Sequence, residues 1–79
     1  MKSWFVYIVE CKDGTLYTGI TDNVERRVAV HNAGNGAKYT KGRTPAILRF
    51  VEEVVGRSEA QKREAEIKRM TRERKINLW

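Results

Sequence analysis

Two tyrosines, Tyr7 and Tyr17, are the first side chains in the chain whose type and spacing could do chemistry. Each lies in a run of aromatic and β-branched residues, 4–10 and 16–21, that reads as a strand. Tyr17 is followed by Thr18 and Gly19, so a phenol stands two residues before a position with no side chain. Farther on, Arg27 and His31 are spaced one helical turn apart, a guanidinium and an imidazole on one side of a helix. Lys38, Lys41 and Arg43 then surround Tyr39 with no acid among them. Cations for phosphates and a ring for stacking a base are the makings of a nucleic-acid contact, although loops of this kind also serve simply as solvated surface. The last candidate is Glu64, an acid on the same side of a later helix as Ala60 and Ile67 and four residues before Lys68.

The elements that must position these groups begin with a hairpin. Lys12-Asp13-Gly14 supplies its turn, with Gly14 free to take φ > 0. Two registers are open. A two-residue Asp13-Gly14 loop pairs Cys11 with Leu16 and sends Tyr7 and Tyr17 to opposite faces. A three-residue loop with a bulge at Gly14 pairs Cys11 with Thr15, because a one-residue slip flips every side chain of one strand. Tyr7 then lies across from Gly19 and on the face of Tyr17, and this register is the one adopted here.

Composition sets outer bounds. Seventy-nine residues make one domain, 1–79, and a chain this short buries only ~60% of its unfolded surface. One cysteine, Cys11, excludes an internal disulfide, and with one histidine it excludes a Cys/His zinc cluster. Cys11 reads as a packed thiol. The formal charge of +6 favours a polyanionic partner. Met1-Lys2-Ser3 runs straight into a strand, and no apolar run approaches the ~20 residues of a membrane span. A cytoplasmic protein with no membrane association is expected.

Asp22 with Glu25 three residues on resembles a capping box, opening a helix over 23–33 that Gly34 stops. Val24, Val28 and Val30 give it an apolar arc that contains Arg27 and His31, whereas Arg26 points to solvent. Two structural reasons could place them there: cations suit the end of a helix, and an arginine stem can pass apolar neighbours. Residues 47–55 form a third strand, with Leu48, Phe50 and Val54 on one face and Ile47, Val51 and Val55 on the other. Apolar residues on both faces place it at or near the sheet centre, with an irregularity or exposed end at Arg49 and Glu52-Glu53. Ser58 and Gln61 form a second box, opening a helix over 58–70. On spacing alone Glu64 pairs with Lys68. A short helical tail, capped at Thr71, is expected to dock through Ile76, Leu78 and Trp79.

A strand tyrosine, a short turn and then Tyr-x-Gly resemble the GIY-YIG nuclease domain. Its first triplet corresponds to Phe5-Val6-Tyr7 and its second to Tyr17-Thr18-Gly19, with the tyrosines and the final glycine matching literally. Arg27-x-x-x-His31 matches the family's helix arginine and the histidine that often follows it one turn later. The run Gly36-Ala37-Lys38-Tyr39-Thr40 before Arg43-Thr44-Pro45 resembles the small stand-alone bacterial members. Glu64, followed by Ile67-Lys68, aligns with the family's metal-binding glutamate.

The resemblance implies an α/β (α+β) fold, a small three-stranded, mainly antiparallel sheet flanked by helices in the order β-β-α-β-α. It implies a metal-dependent DNA endonuclease in which Tyr7, Tyr17, Arg27, His31 and Glu64 are catalytic and Gly19 is a structural element of the motif. Glu64 would hold one Mg²⁺ or Mn²⁺ bound together with substrate. Lys38, Tyr39, Lys41 and Arg43 would contact DNA, branched or damaged forms included, with a protein partner as one means of targeting. The alternative is a nucleic-acid-binding module of the same fold that cuts weakly or not at all. A third reading is a structural or partner-binding role in which the basic charge is incidental.

Overall fold

The computed structural model describes residues 2–34, 42 and 44–79. Strands β1 (Ser3–Glu10) and β2 (Leu16–Thr21) form the hairpin. The amide of Cys11 donates to Thr15 O at 2.8 Å and that of Gly14 to Cys11 O at 2.9 Å, which closes the three-residue loop. Gly14 takes φ +85° there. Asp13 Oδ1 holds the turn from inside, accepting from the Thr15 amide at 3.2 Å and the Thr15 hydroxyl at 2.6 Å. The resulting register sets Tyr7 opposite Gly19 and Val9 opposite Tyr17.

Helix α1 (Val24–Asn32) follows, then β3 (Ile47–Val55), α2 (Arg57–Lys68) and α3 (Arg72–Ile76). The sheet is antiparallel, in the order β2-β1-β3. Thus the centre is β1 rather than β3, a correction to the expectation from sequence. All four residues Val6–Val9 are buried, and they alternate between two layers. Val6 and Ile8 pack on Ala60 and Ile67 of α2. Tyr7 and Val9 face the other way, toward Ala46, Tyr17 and Val28 of α1.

The apolar residues of β3 misled because the strand is an edge: Ile47, Leu48, Val51 and Val55 keep 50, 38, 42 and 60% of their surface exposed. The expected irregularity falls at Arg49. Ile8 pairs with Phe50 but Val9 with Leu48, so Arg49 is an extra residue. This bulge inverts the faces beyond it. Leu48 therefore lies opposite Val9, on the face of Tyr7, and not with Phe50 as alternation implied. Two charges of β3 have partners: Arg49 Nε meets Glu10 Oε1 at 3.0 Å, and Glu52 Oε2 meets Arg63 Nε of α2 at 3.0 Å.

The helix starts also differ from the boxes read in the sequence. The cap of α1 is Asn23, whose side chain accepts from the Arg26 amide at 3.1 Å. Asp22 instead meets Lys2 Nζ at 2.8 Å. Gly34 ends the chain segment of α1 at φ +81°. Helix α2 begins before Ser58, with Gly56 as its cap at φ 85° and ψ 157° and no side chain bonding to the first turn. This glycine turns the chain directly from β3 into α2, and the Ala60 amide donates to its carbonyl at 3.3 Å. Ser58 is consequently inside the first turn. Thr71 does cap α3, accepting from the Arg74 amide at 3.3 Å. Of the three tail residues only Leu78 packs on the core, together with Met70. Ile76 and Trp79 are exposed. No helix among the described residues is long and apolar enough to cross a membrane.

The start of α2 can be tested by chemical denaturation. Gly56→Ala forces a side chain into a backbone region that is nearly glycine-only and should cost about 1–3 kcal/mol. Ser58→Ala should change stability by less than about 0.5 kcal/mol, against about 1 kcal/mol for a residue that truly caps a helix.

Candidate active site

Gly19 decides where the first phenol goes. A Cβ built on it would lie 2.6 Å from Tyr7 Oη, 2.7 Å from Tyr7 Cζ and 3.0 Å from Tyr17 Cε2. The Tyr7 ring therefore lies across the backbone of β2 in space that any other residue would fill. Tyr17 flanks it, with ring centroids 6.4 Å apart and planes tilted by 48°.

Helix α1 closes this layer from above. Val28 packs with Tyr7 and Val9, which turns the same helical face, and with it His31, onto the sheet. His31 is fully buried. Its Nε2 shares a hydrogen bond of 2.9 Å with Tyr7 Oη. Its ring meets Tyr17 edge-on at a centroid distance of 5.3 Å. Two phenols and an imidazole thus form one contiguous group.

Electrostatics fix its protonation. Burial pushes the Tyr7 pKa above that of a free phenol. The Arg27 guanidinium, within hydrogen-bonding reach, pulls it down, whereas the charges of Tyr17 and Glu64 add to the rise. Burial, and then the nearby charge of Arg27, lower the pKa of His31. At neutral pH the pair is a neutral phenol on a neutral imidazole. Arg27 also lines a cleft of about 280 Å³ with Thr21, Asp22, Asn23, Arg26 and Val30. Arg26, read as solvent-facing and indeed exposed, adds a second cation to that cleft.

Glu64 projects from α2 with 23% of its side chain exposed, and Lys68 Nζ lies 3.4 Å from its Oε2. The i,i+4 pair seen in the sequence is therefore formed, and the same carboxylate lies close enough for its charge to bear on Tyr7. No group of three or more His, Cys, Asp or Glu side chains among the described residues could hold a metal ion. That donor set does not fit a preformed cage. It does fit an ion of the Mg²⁺ type, which takes one or two carboxylates and completes its shell with water and substrate phosphate.

Of the sequence candidates, Tyr7, Tyr17, Arg27 and His31 come together around Gly19, and Glu64 is within electrostatic reach. Lys38, Tyr39, Lys41 and Arg43 lie outside the described residues. Asn32 was missed. Its Oδ1 accepts from the Ala46 amide at 2.6 Å and its Nδ2 donates to Ala46 O at 3.2 Å. One side-chain amide thereby imitates a neighbouring strand and ties the end of α1, next to His31, to the start of β3. The only signal for this was a polar residue in the last turn of a helix, which does not name its partner.

Comparison with known proteins gives a family and a fold. The GIY-YIG catalytic domain family matches residues 3–77. A UPF0213 protein of Halobacterium salinarum is 59% identical over 94% of this chain and 96% of its own length. One from Staphylococcus haemolyticus is 54% identical over 99% of this chain and 95% of its own. The solution NMR structure of a UPF0213 protein from Bacillus halodurans is similar with a TM-score of 0.60 at 45% identity, over 96% of this chain and 81% of that one. A second NMR structure, of a protein from E. faecalis, has a TM-score of 0.65 at 43% identity, over 98% of this chain and 82% of the other.

Two measurements probe the packed rings. Gly19→Ala should displace Tyr7 from His31 and cost about 1–3 kcal/mol, as overpacking does. A shift of the His31 ring resonances in NMR spectra would report the displaced contact. The depressed pKa of His31 also makes stability depend on pH. The unfolded chain takes up the proton first, so urea-unfolding stability should be fully present above about pH 6.5 and fall as pH drops through that value toward the folded-state pKa. A His31→Gln variant should lose this part of the pH dependence.

Proposed function

The chain belongs to the GIY-YIG catalytic-domain family, which supports a nuclease-type function, and on that premise we propose that it is a metal-dependent DNA endonuclease hydrolysing backbone phosphodiesters. The observation that carries this reading is the Tyr7–His31 hydrogen bond of 2.9 Å, set beside Tyr17 and under the charge of Arg27. Such a group can orient a water and accept its proton while a cation faces the phosphate.

Tyr17 positions the attacking water by hydrogen bonding. Water adds to phosphorus, the bond from phosphorus to the leaving oxygen breaks, and that oxygen departs as an alkoxide that takes a proton from solvent to become the alcohol end of the cut strand. Tyr7 Oη takes the water proton as it gives its own to Nε2 of the neutral, buried His31 through their hydrogen bond. Arg27, within hydrogen-bonding reach of Tyr7, neutralises charge on the non-bridging oxygens. Glu64 would hold Mg²⁺ or Mn²⁺, which would supply Lewis acidity at the scissile phosphate. Lys38, Tyr39, Lys41 and Arg43 supply further DNA contacts in this reading.

A second reading draws on Lys68. The lysine stands 3.4 Å from the Glu64 carboxylate, so a cation must displace it or share the carboxylate. A domain in which that exchange fails grips DNA without cutting it.

Metal-dependent nicking separates the two. Duplex, single-stranded and branched DNA are incubated with Mg²⁺, Mn²⁺ or EDTA, and some substrate should be cut only where metal is present. Glu64→Gln keeps the shape but loses the charge, and should abolish cutting while leaving the fold intact. Tyr17→Phe and Arg27→Ala should each slow it by about 10²–10³-fold, typical of lost transition-state contacts. Cutting that survives Glu64→Gln would contradict the assignment. Salt-sensitive binding without any cutting would favour the binding module.

A further inference from the structure

A second basic surface runs along β2 toward Tyr17. Two clefts adjoin there. One, of about 220 Å³, is lined by Thr15, Leu16, Arg72 and Lys75. The other, of about 230 Å³, is lined by Leu16, Tyr17, Thr18, Lys68 and Lys75. They share Leu16 and Lys75, so together they make a trough from the hairpin turn to Tyr17. Among the described residues, three cations and no acid line it.

Helix α3 is held in place to form one wall. Arg72 Nη1 donates to Gly14 O at 2.6 Å, which fastens the helix to the hairpin turn. Arg72 and Lys75, three positions apart, share a helical face. Docking uses the arginine and leaves the ammonium of Lys75 without a structural task in the contact. The floor holds an independent sign. Thr18 is 3% exposed and lines the trough, and its Oγ1 is a buried side-chain atom with no hydrogen-bond partner. Buried hydroxyls are nearly always paired, so an unpaired one is a place where a ligand oxygen would find a donor. The outer edge of β2 is also unpaired among the described strands, and a strand edge offers backbone N–H groups.

We infer that this trough carries the backbone of a DNA strand on its way to or from Tyr17, with Lys68 and Lys75 as phosphate contacts. The inference rests on the nucleic-acid reading above and adds a path to it. Lys68 has a place in both: it faces the Glu64 carboxylate and lines the trough beside Tyr17, and its half-exposed ammonium can turn from the one to a phosphate in the other. The apolar wall of Leu16 suits a sugar face between charged groups. Lys62, exposed on the same helix and paired with Glu59 at 3.4 Å, lies outside the trough and serves as a control of equal charge.

The test is fluorescence anisotropy with labelled single-stranded and duplex oligonucleotides, in EDTA so that nothing is cut, over a series of salt concentrations. Lys68→Gln/Lys75→Gln should weaken binding by tenfold or more. It should also lower the slope of log affinity against log salt by about 1.4–1.8, the counterions of two phosphate contacts. Lys62→Gln should bind within about twofold of the unaltered protein. Titrating the unaltered protein with DNA should shift the amide resonances of Leu16, Thr18 and Lys75, a readout that needs no variant to fold. If the unaltered protein binds DNA with a steep salt dependence while the double variant matches it and those resonances stay still, the trough is not the path and the nucleic-acid reading stands. If no DNA binds in a salt-dependent way, the nucleic-acid reading fails and the inference falls with it.

Discussion

The structure depends on a side chain that is not there. Tyr7 belongs to the central strand, where a residue must either pack or collide, and its ring has room only because Gly19 stands opposite. From that one vacancy follow the place of Tyr17 beside it, the reach of Tyr7 Oη to His31 and the depth at which the imidazole is buried. The hairpin turn serves the same constraint. Had Asp13 and Gly14 made the two-residue loop, Tyr7 would have stood opposite Ile20 and the rings would have parted to opposite sides of the sheet.

The rest of the fold holds this arrangement from both faces. Ala60 and Ile67 of α2 press on Val6 and Ile8 from below, which leaves Tyr7 and Val9 to the layer above. Asn32 then anchors the end of α1 to Ala46, so the imidazole cannot lift away from the sheet without breaking two hydrogen bonds. Glu64 reaches the phenol's surroundings from the opposite layer. A site drawing on both sides of a three-stranded sheet is possible because β2 is an edge strand, and a carboxylate can approach past it.

How legible was this in the sequence? The hairpin, the helix carrying Arg27 and His31, and the order of strands and helices were readable because each has a local pattern (turn residues, a 3.6-residue arc, an alternation), whereas the sheet itself came from the family resemblance. The turn offered two registers and the residues permitted both, since Gly14 can take φ > 0 in either. Sheet order was misread at β3. Its two-faced apolar pattern implied burial, but an edge strand of a small sheet has too little protein around it to cover both faces, and the bulge at Arg49 exchanged the sides of Ile47 and Leu48. The helix starts failed for a related reason: Ser58 makes a good cap in isolation, yet Gly56 had already turned the chain. The place of Glu64 near Tyr7, the anchoring by Asn32 and the trough along β2 depend on contacts between distant segments, for which neither spacing nor composition carries a signal.

The central claim is that phenols, imidazole, guanidinium and one carboxylate gather around a single ion-binding point once DNA is present. Paramagnetic broadening by Mn²⁺ measures this directly, using amide and ring resonances of the protein bound to a phosphorothioate oligonucleotide that resists cutting. The account predicts that substoichiometric Mn²⁺ erases signals from Glu64 first, then from Tyr17, Tyr7 and His31, and that Glu64→Gln removes the effect. Broadening centred on Glu52 and Glu53, or equal broadening in the Glu64→Gln variant, would contradict it.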